Sequence, residues 1–119
     1  MPNDMPGHAT VARYEAAYRG GDADACAACF HPDAILHSAF AAPARGRAAI
    51  AALHADWVRD EAGKTLRIVE GGSDGALAWC MIRFEEGAQT EVGWTLAVLE
   101  RDSDGTWLFR ALSLTEAEG

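Results

Sequence analysis

The pattern of apolar and polar positions along the 119-residue chain changes its period near residue 64. Before that point apolar residues recur three or four positions apart, as Val11, Tyr14 and Tyr18 do, which is the spacing of one buried helix stripe. Glycines separate these segments, and Asp22 stands where a helix cap is needed. The pattern predicts three helices, over residues 8–19, 22–30 and 48–62.

Beyond residue 64 the chain consists of long apolar stretches joined by short polar or glycine-rich segments, which is typical of strands and tight turns. An earlier strand is expected after Pro32, because proline forces the preceding residue out of the helical region. Gly71, Gly72 and Gly75 are expected to lie in one turn. The predicted strands cover residues 34–38, 65–70, 77–86, 90–101 and 107–115. Helices followed by a mostly antiparallel sheet make this an α+β chain.

The last three predicted strands are apolar on both alternating faces. An antiparallel sheet with one solvent-exposed face would instead alternate apolar with polar residues. The three helices can cover only one of the two faces. By strand alternation, this uncovered face carries Trp79, Met81, Trp94, Leu96, Trp107 and Phe109. A patch of this size is unusual on a monomer. We therefore predict a homodimer formed through this face, with Trp79, Trp94, Trp107 and Phe109 at its centre.

Composition and charge limit the possible partners. Ten basic and eighteen acidic residues give a formal charge of −8, so nucleic acid and anionic membranes would meet net repulsion. No apolar run approaches the roughly 20 residues that span a bilayer, and the first residues lack the features of a signal peptide. We expect one cytoplasmic domain over residues 1–119, with flexible ends at 1–7 and 116–119.

The three cysteines are expected to be buried core thiols. Cys26 and Cys29 have a C-x-x-C spacing, but no second pair of ligands accompanies them, as a tetrahedral zinc site would require. The pair also lies within a predicted helix, whereas redox-active pairs open one. Glycine-rich phosphate loops and nucleophile-elbow motifs are likewise missing from the sequence. No metal and no cofactor is predicted.

Several short motifs occur in a recognisable order: Arg13-Tyr14, Gly21-Asp22, Phe30-His31-Pro32-Asp33-Ala34 and Gly46-Arg47. In this order the chain resembles the nuclear-transport-factor-2-like superfamily, which includes ketosteroid isomerase, polyketide cyclases and scytalone dehydratase. The resemblance implies a cystatin-like cone, in which three N-terminal helices pack on a strongly bent, mostly antiparallel sheet. It also implies a cone-shaped pocket for a small apolar molecule, and homodimerisation through the sheet is common in the superfamily.

Ketosteroid isomerase uses an aspartate base beside an oxyanion hole made by a tyrosine and a protonated aspartate. The resemblance aligns this tyrosine with Tyr14, the base with Ser38 and the protonated aspartate with Ala97. Two further tyrosines that support the first align with Phe30 and His54. Serine has no proton affinity suited to abstracting a carbon-bound proton at neutral pH. Isomerisation of a ketosteroid by the known mechanism is therefore not expected.

Tyr14 and His54 are left as the polar residues on the inward stripes of the first and third helices. They form either a hydrogen-bonded pair whose phenol donates to a ligand oxygen, or two core residues that satisfy each other. His37 is a further acid or base candidate beside the lost base position, although strand alternation points it away from the face of Ser38.

Six other side chains are predicted to bind the ligand. They are Phe30, Ser38, Trp57, Ala97, Arg110 and Leu112. Arg110 could bind a carboxylate, or it could pair with Glu91 or Glu100.

Three functions remain open on this sequence. The chain could be a cofactor-free isomerase, cyclase or dehydratase, with Tyr14, His54 or His37 as catalytic candidates. It could be a binding protein that holds a hydrophobic, oxygen-bearing ligand against Tyr14. The alternative is a non-catalytic dimer whose pocket is filled by its own side chains.

Overall fold

The computed structural model describes residues 7–38, 41–58, 65–86 and 91–116. In this part of the chain three helices precede most of a single mixed sheet. The helices are α1 (His8–Arg19), α2 (Ala23–Ala28) and α3 (Gly46–Trp57), and the strands are β1 (Phe30–Ser38), β2 (Ala44–Arg45), β3 (Thr65–Asp74), β4 (Leu77–Glu86), β5 (Glu91–Arg101) and β6 (Trp107–Glu116).

The predicted cap of α2 is confirmed, because Asp22 accepts a hydrogen bond from the amide of Ala25 at 3.0 Å. The helix is shorter than predicted and ends before Cys29. Partners outside the helix take the next two carbonyl oxygens. The amide of Phe109 donates to the Cys29 carbonyl at 2.9 Å, and Nε of Arg47 donates to the Phe30 carbonyl at 2.7 Å. These bonds draw the chain directly into β1.

The third helix begins two residues earlier than predicted. Gly46 takes a positive φ of 84°, a conformation that suits glycine, and turns the chain from β2 into α3. The predicted end of this helix, at residues 59–62 and Gly63, lies outside the described residues.

The strand order in the sheet is β2-β1-β6-β5-β4-β3. Strands β3 to β6 form the predicted antiparallel meander, whereas β1 joins β6 in parallel. The two-residue strand β2, which the sequence analysis did not predict, pairs with the edge of β1. The predicted α+β class is confirmed.

The strand β3 continues through Gly71 and Gly72, and the prediction of a turn at these two glycines is wrong. Gly71 pairs with Cys80 of β4, and a Cβ atom at Gly71 would lie 2.6 Å from the carbonyl oxygen of Trp79. Close approach of the two backbones explains the glycine. The turn itself is made at Gly75, where φ is 64°.

A β-bulge at Arg110 changes which face of the sheet each residue of β6 occupies. Ala111 pairs with Val98, but Phe109 pairs with the next residue, Leu99. One extra residue reverses the alternation, so Trp107 and Phe109 lie on the face covered by the helices, here called the inner face. Phe109 is 1% exposed within the core. The prediction that Trp107 and Phe109 belong to a dimer surface is therefore wrong.

The opposite, outer face carries the rest of the predicted apolar patch. Trp79 and Leu96 are 41% and 44% exposed, while Met81 and Trp94 are half-buried. Strand pairing sets these four residues beside one another across β4 and β5. The described residues leave this patch open.

Side-chain bonds to the backbone attach α1 to the inner face. The hydroxyl of Thr10 donates to the Trp107 carbonyl at 2.5 Å, and the carboxylate of Glu15 accepts the amide of Leu66 at 2.7 Å. One helix is thereby attached both to β6, inside the sheet, and to the edge strand β3. Of the ends expected to be flexible, Gly7 caps α1 and Glu116 ends β6; the other end residues lie outside the described part.

The prediction of buried thiols is confirmed, since Cys26, Cys29 and Cys80 are free and buried. Within the described residues, no helix has both the length and the apolar character needed to cross a membrane.

Candidate functional site

Tyr14 and His54 meet beneath the inner face of the sheet. The Tyr14 hydroxyl lies 2.7 Å from Nε2 of His54, and the two side chains are 4% and 0% exposed. Tyr14 belongs to the buried stripe of α1 and His54 to that of α3. The predicted hydrogen-bonded pair is confirmed, and we call it the Tyr14–His54 dyad.

The direction of the hydrogen bond within the dyad follows from the other ring nitrogen. Nδ1 of His54 lies 2.8 Å from the carbonyl oxygen of Ile50, one helical turn earlier. A carbonyl oxygen can only accept, so Nδ1 carries the proton. In neutral imidazole Nε2 is then an acceptor, and the Tyr14 hydroxyl donates to it. The phenol proton therefore points at His54.

Aromatic rings enclose the dyad. The ring centroid of Tyr14 lies 5.9 Å from that of Phe30 and 5.5 Å from that of Phe109, both edge-to-face. Trp57 packs against His54 with a centroid distance of 5.2 Å. Edge-to-face packing at these distances is favourable, and the rings hold the phenol and imidazole in one orientation. Phe30 and Trp57, both predicted from the sequence, thus lie beside the dyad.

A small cavity lies between Tyr14 and residues of strands β3 to β6. Its volume is about 10 Å³, roughly enough for one water molecule. Apart from the Tyr14 phenol and the hydroxyl-bearing Thr95, its lining is apolar. The lining residues are Tyr14, Leu66, Ile82, Thr95, Phe109, Leu112 and Leu114.

Ser38 and Ala97 lie close to this cavity without lining it. Ser38 pairs with Leu114, a lining residue, and is half-buried on the same face. Ala97 is fully buried beside Leu112. Neither side chain can supply a carboxylate to the dyad.

His37 and Arg110, the other two candidates, do not approach the dyad. His37 is exposed and pairs with Ser113, which turns its side chain to the outer face as alternation predicted. Arg110 lies at the bulge, where its guanidinium donates to the Asp33 carbonyl at 2.7 Å and lies 3.5 Å from the Glu100 carboxylate. The predictions that His37 is catalytic and that Arg110 binds a ligand at this site are therefore not supported by the geometry.

Sequence analysis missed Leu66, Ile82, Thr95, Phe109 and Leu114 as cavity residues. Thr95 could have been found, because it lies two residues before Ala97 and therefore on the same face of β5. Phe109 could not, because the bulge at Arg110 reverses its face.

The buried thiols are poor nucleophiles. Burial raises the pKa of Cys80 to about 11, and it also raises that of Cys29, against the opposing effect of the Arg13 guanidinium. The thiolate is the reactive form, so both groups are largely unreactive near neutral pH. The described residues include no cluster of three or more His, Cys, Asp or Glu side chains positioned to bind a metal ion.

Comparison with protein families gives a match over most of the chain. The model of the SnoaL-like domain matches residues 11–109, which span α1 to the first half of β6. The chain belongs to the SnoaL-like family. No curated protein matches it in sequence.

Solved structures support the predicted cystatin-like fold. The chain is similar to a ketosteroid isomerase-like protein from Erwinia carotovora, with 16% identity over 93% of both chains and a TM-score of 0.78. An NTF2-like protein with a cystatin-like fold from Novosphingobium aromaticivorans has 23% identity over 93% of this chain and 79% of its own, with a TM-score of 0.70. ActVI-ORFA from Streptomyces coelicolor has 18% identity over 91% and 92%, with a TM-score of 0.66. At these identities the similarity establishes the fold only.

Proposed function

We propose that this SnoaL-like chain binds a small hydrophobic molecule with at least one oxygen atom, between the sheet and the Tyr14–His54 dyad. The observation that carries the proposal is the dyad itself, a hydrogen-bonded phenol and imidazole beside an otherwise apolar cavity. Ligand sites commonly combine an apolar wall with a few convergent polar groups. The apolar wall would bind the ligand skeleton, and Tyr14 would fix its orientation.

Any reaction at this site would be cofactor-free and of the isomerase, cyclase or dehydratase kind. His54 is the group that can take up a proton, and it can do so through Tyr14, which separates it from the cavity. Steroid isomerisation by a carboxylate base is excluded from the proposal, because Ser38 and Ala97 stand at the two aligned acid positions. The name of the ketosteroid isomerase-like structure agrees with an isomerase among these reactions.

The ligand must be compact, and it must displace side chains when it enters. The described walls enclose only about 10 Å³, whereas pockets for drug-sized ligands measure roughly 300–1,000 Å³. Leu114 is the wall residue best suited to move, since it is aliphatic and lies near the end of β6. We therefore expect ring-sized molecules to bind before larger ones.

A screen of small cyclic alcohols, phenols and ketones by methyl NMR would test the proposal. Binding at the proposed site should shift the methyl resonances of Ile82, Leu112 and Leu114. Tyr14→Phe should weaken an oxygen-bearing ligand by about 2- to 13-fold, the value of one net hydrogen bond. Tyr18→Phe is the matched control, because Tyr18 is also buried on α1 but does not line the cavity. Methyl shifts confined to other parts of the protein would contradict the proposal.

The small cavity favours a second candidate, a non-catalytic protein whose interior is filled by its own side chains. In that case Tyr14→Phe would lower the stability of the fold without changing any ligand affinity. The same NMR screen would give no shifts at the three methyl-bearing wall residues.

We also propose that the chain forms a homodimer through the outer face. Trp79 leaves about 100 Å² uncovered, from its exposure of 41% and the area of a tryptophan. Covering it in both copies is worth up to about 5 kcal/mol, or roughly four thousandfold in the dissociation constant. Arg83 stacks over Trp94 at 5.1 Å, so this end of the patch is already partly covered.

Sedimentation of wild type and Trp79→Glu tests the dimer. We expect a dimer in wild type at micromolar concentration and a monomer in the variant. Ala52→Glu, at an exposed site on α3, adds the same charge away from the sheet and should remain dimeric. A wild-type species of 12.7 kDa, the monomer mass, would refute the proposal.

A further inference from the structure

The direction of the hydrogen bond in the Tyr14–His54 dyad restricts what the cavity can bind. The His54 imidazole donates from Nδ1 to the Ile50 carbonyl and accepts at Nε2 from Tyr14. The phenol proton is therefore engaged inside the dyad. A phenol oxygen has lone pairs as well as its one proton, so towards the cavity Tyr14 acts as an acceptor.

We infer that the site selects a ligand hydroxyl, and in particular an acidic hydroxyl such as a phenol or enol, over a carbonyl oxygen. This inference rests on the proposed ligand site and specifies the chemical class that the site would take. A ligand hydroxyl can donate to the Tyr14 oxygen, whereas a carbonyl has no proton to donate and would face the phenol lone pairs. The preference is opposite to that of an oxyanion hole, in which the tyrosine donates.

The bonds of the resulting chain all run in the same direction. The ligand O–H donates to the Tyr14 oxygen, the Tyr14 O–H to Nε2 of His54, and Nδ1–H of His54 to the Ile50 carbonyl. Hydrogen bonds in such chains polarise one another, and the buried surroundings of the dyad strengthen the effect. A more acidic hydroxyl is a stronger donor, so phenols and enols should bind more tightly than alcohols of the same size.

The surroundings of the dyad keep this direction fixed. With the ring in place, reversing it would require the other neutral tautomer, in which Nε2 carries the proton and Nδ1 faces the Ile50 carbonyl as a second acceptor. Two acceptors 2.8 Å apart repel each other. The Trp57 and Phe30 rings also pack against the imidazole, with centroid distances of 5.2 and 5.9 Å.

Two measurements test the inference, and the first needs no ligand. Long-range ¹H–¹⁵N spectra of the wild-type protein at neutral pH report which nitrogen of His54 carries the proton. We expect the proton on Nδ1. A proton on Nε2 would overturn the inference and leave the proposed binding site intact.

The second measurement compares phenol, anisole and cyclohexanone, three ring compounds of similar size. Their affinities for wild type, Tyr14→Phe and Tyr18→Phe are obtained from titrations of the Ile82, Leu112 and Leu114 methyl resonances. In wild type we expect phenol to bind about 2- to 13-fold more tightly than the other two. Tyr14→Phe should abolish this preference, and Tyr18→Phe should retain it.

The outcomes separate the inference from the function on which it rests. Preference for cyclohexanone, or a phenol preference that survives in Tyr14→Phe, would overturn the inference alone. If none of the three compounds shifts the methyl resonances, the proposed ligand site is refuted, and the inference with it.

Discussion

The hydrogen bond between Tyr14 and His54 can be measured with a double-mutant cycle of Tyr14→Phe and His54→Leu. Each single change removes one partner of a bond that is 2.7 Å long and almost completely buried. Losing the partner of a buried polar group typically costs about 1–3 kcal/mol. Each single variant should therefore be less stable than wild type by about this amount.

The double variant should be destabilised by less than the sum of the two single changes. Phenylalanine fills nearly the same volume as the tyrosine it replaces, and leucine nearly the same volume as the histidine. Replacing both partners of a buried hydrogen bond by apolar groups of similar shape can be nearly neutral. The Ile50 carbonyl remains within α3, where the helix backbone can satisfy it. We expect an interaction energy of about 1–2 kcal/mol, within the range found for residues in direct contact.

Urea unfolding of the four proteins, followed by circular dichroism, gives the four free energies of unfolding. The m-values should agree, because only then do the differences report stability. A second cycle, of Tyr18→Phe and His54→Leu, is the control. It removes the hydroxyl of a neighbouring buried tyrosine in place of that of Tyr14. Additivity of the Tyr14 and His54 changes to within about 0.5 kcal/mol would refute the hydrogen bond as a source of stability.

Three other predictions follow from the described geometry. Gly71→Ala should lower the melting temperature because its Cβ would lie 2.6 Å from a β4 backbone oxygen, whereas Gly72→Ala, which meets a movable side chain at 3.1 Å, should lower it less. Asp22→Ala should cost about 0.5–2 kcal/mol in urea unfolding through loss of the α2 cap, and Asp24→Ala, which removes an exposed acid from the same helix, should cost less. Stability should fall as the pH rises from about 9 to about 11, because the unfolded chain releases the Cys80 proton before the folded protein does; the change is about 2–3 kcal/mol, and Cys80→Ala should lack it. Equal effects of the two glycine variants, or of the two aspartate variants, would contradict the corresponding explanation. So would a Cys80→Ala protein that loses as much stability between pH 9 and 11 as wild type does.

Local sequence signals predicted the helical half of the chain well. The bounds of α1 predicted from the stripe of Val11, Tyr14 and Tyr18 agree with the observed bounds. The position of a twelve-residue amphipathic helix is determined mainly by its own periodicity. The Asp22 cap was also predictable, since capping involves residues only three positions apart. The approach of Tyr14 to His54 was expected from the two buried stripes together with the family resemblance.

The sheet was predicted less well, because its details depend on contacts between distant segments. The bulge at Arg110 has no local signal such as glycine, yet it moves Trp107 and Phe109 from one face to the other. The early end of α2 depends on an amide from β6, about eighty residues away along the chain. Alternation within single strands cannot reveal either effect.

Whether Tyr14 donates or accepts towards a ligand depends on which nitrogen of His54 carries the proton, and the residue types alone do not determine this. His54 could place either nitrogen next to Tyr14, and in the ligand-binding alternative from sequence analysis the phenol donated to a ligand. The four-residue separation from Ile50 brings a helix carbonyl within reach of Nδ1, and the ring packs so that this contact forms at 2.8 Å. A backbone oxygen thus sets the histidine tautomer, the tautomer sets the direction of the phenol proton, and the proton leaves an acceptor facing the cavity. Substitution of Ile50 by another aliphatic residue preserves this carbonyl, so only changes that turn the His54 ring should reverse the ligand preference.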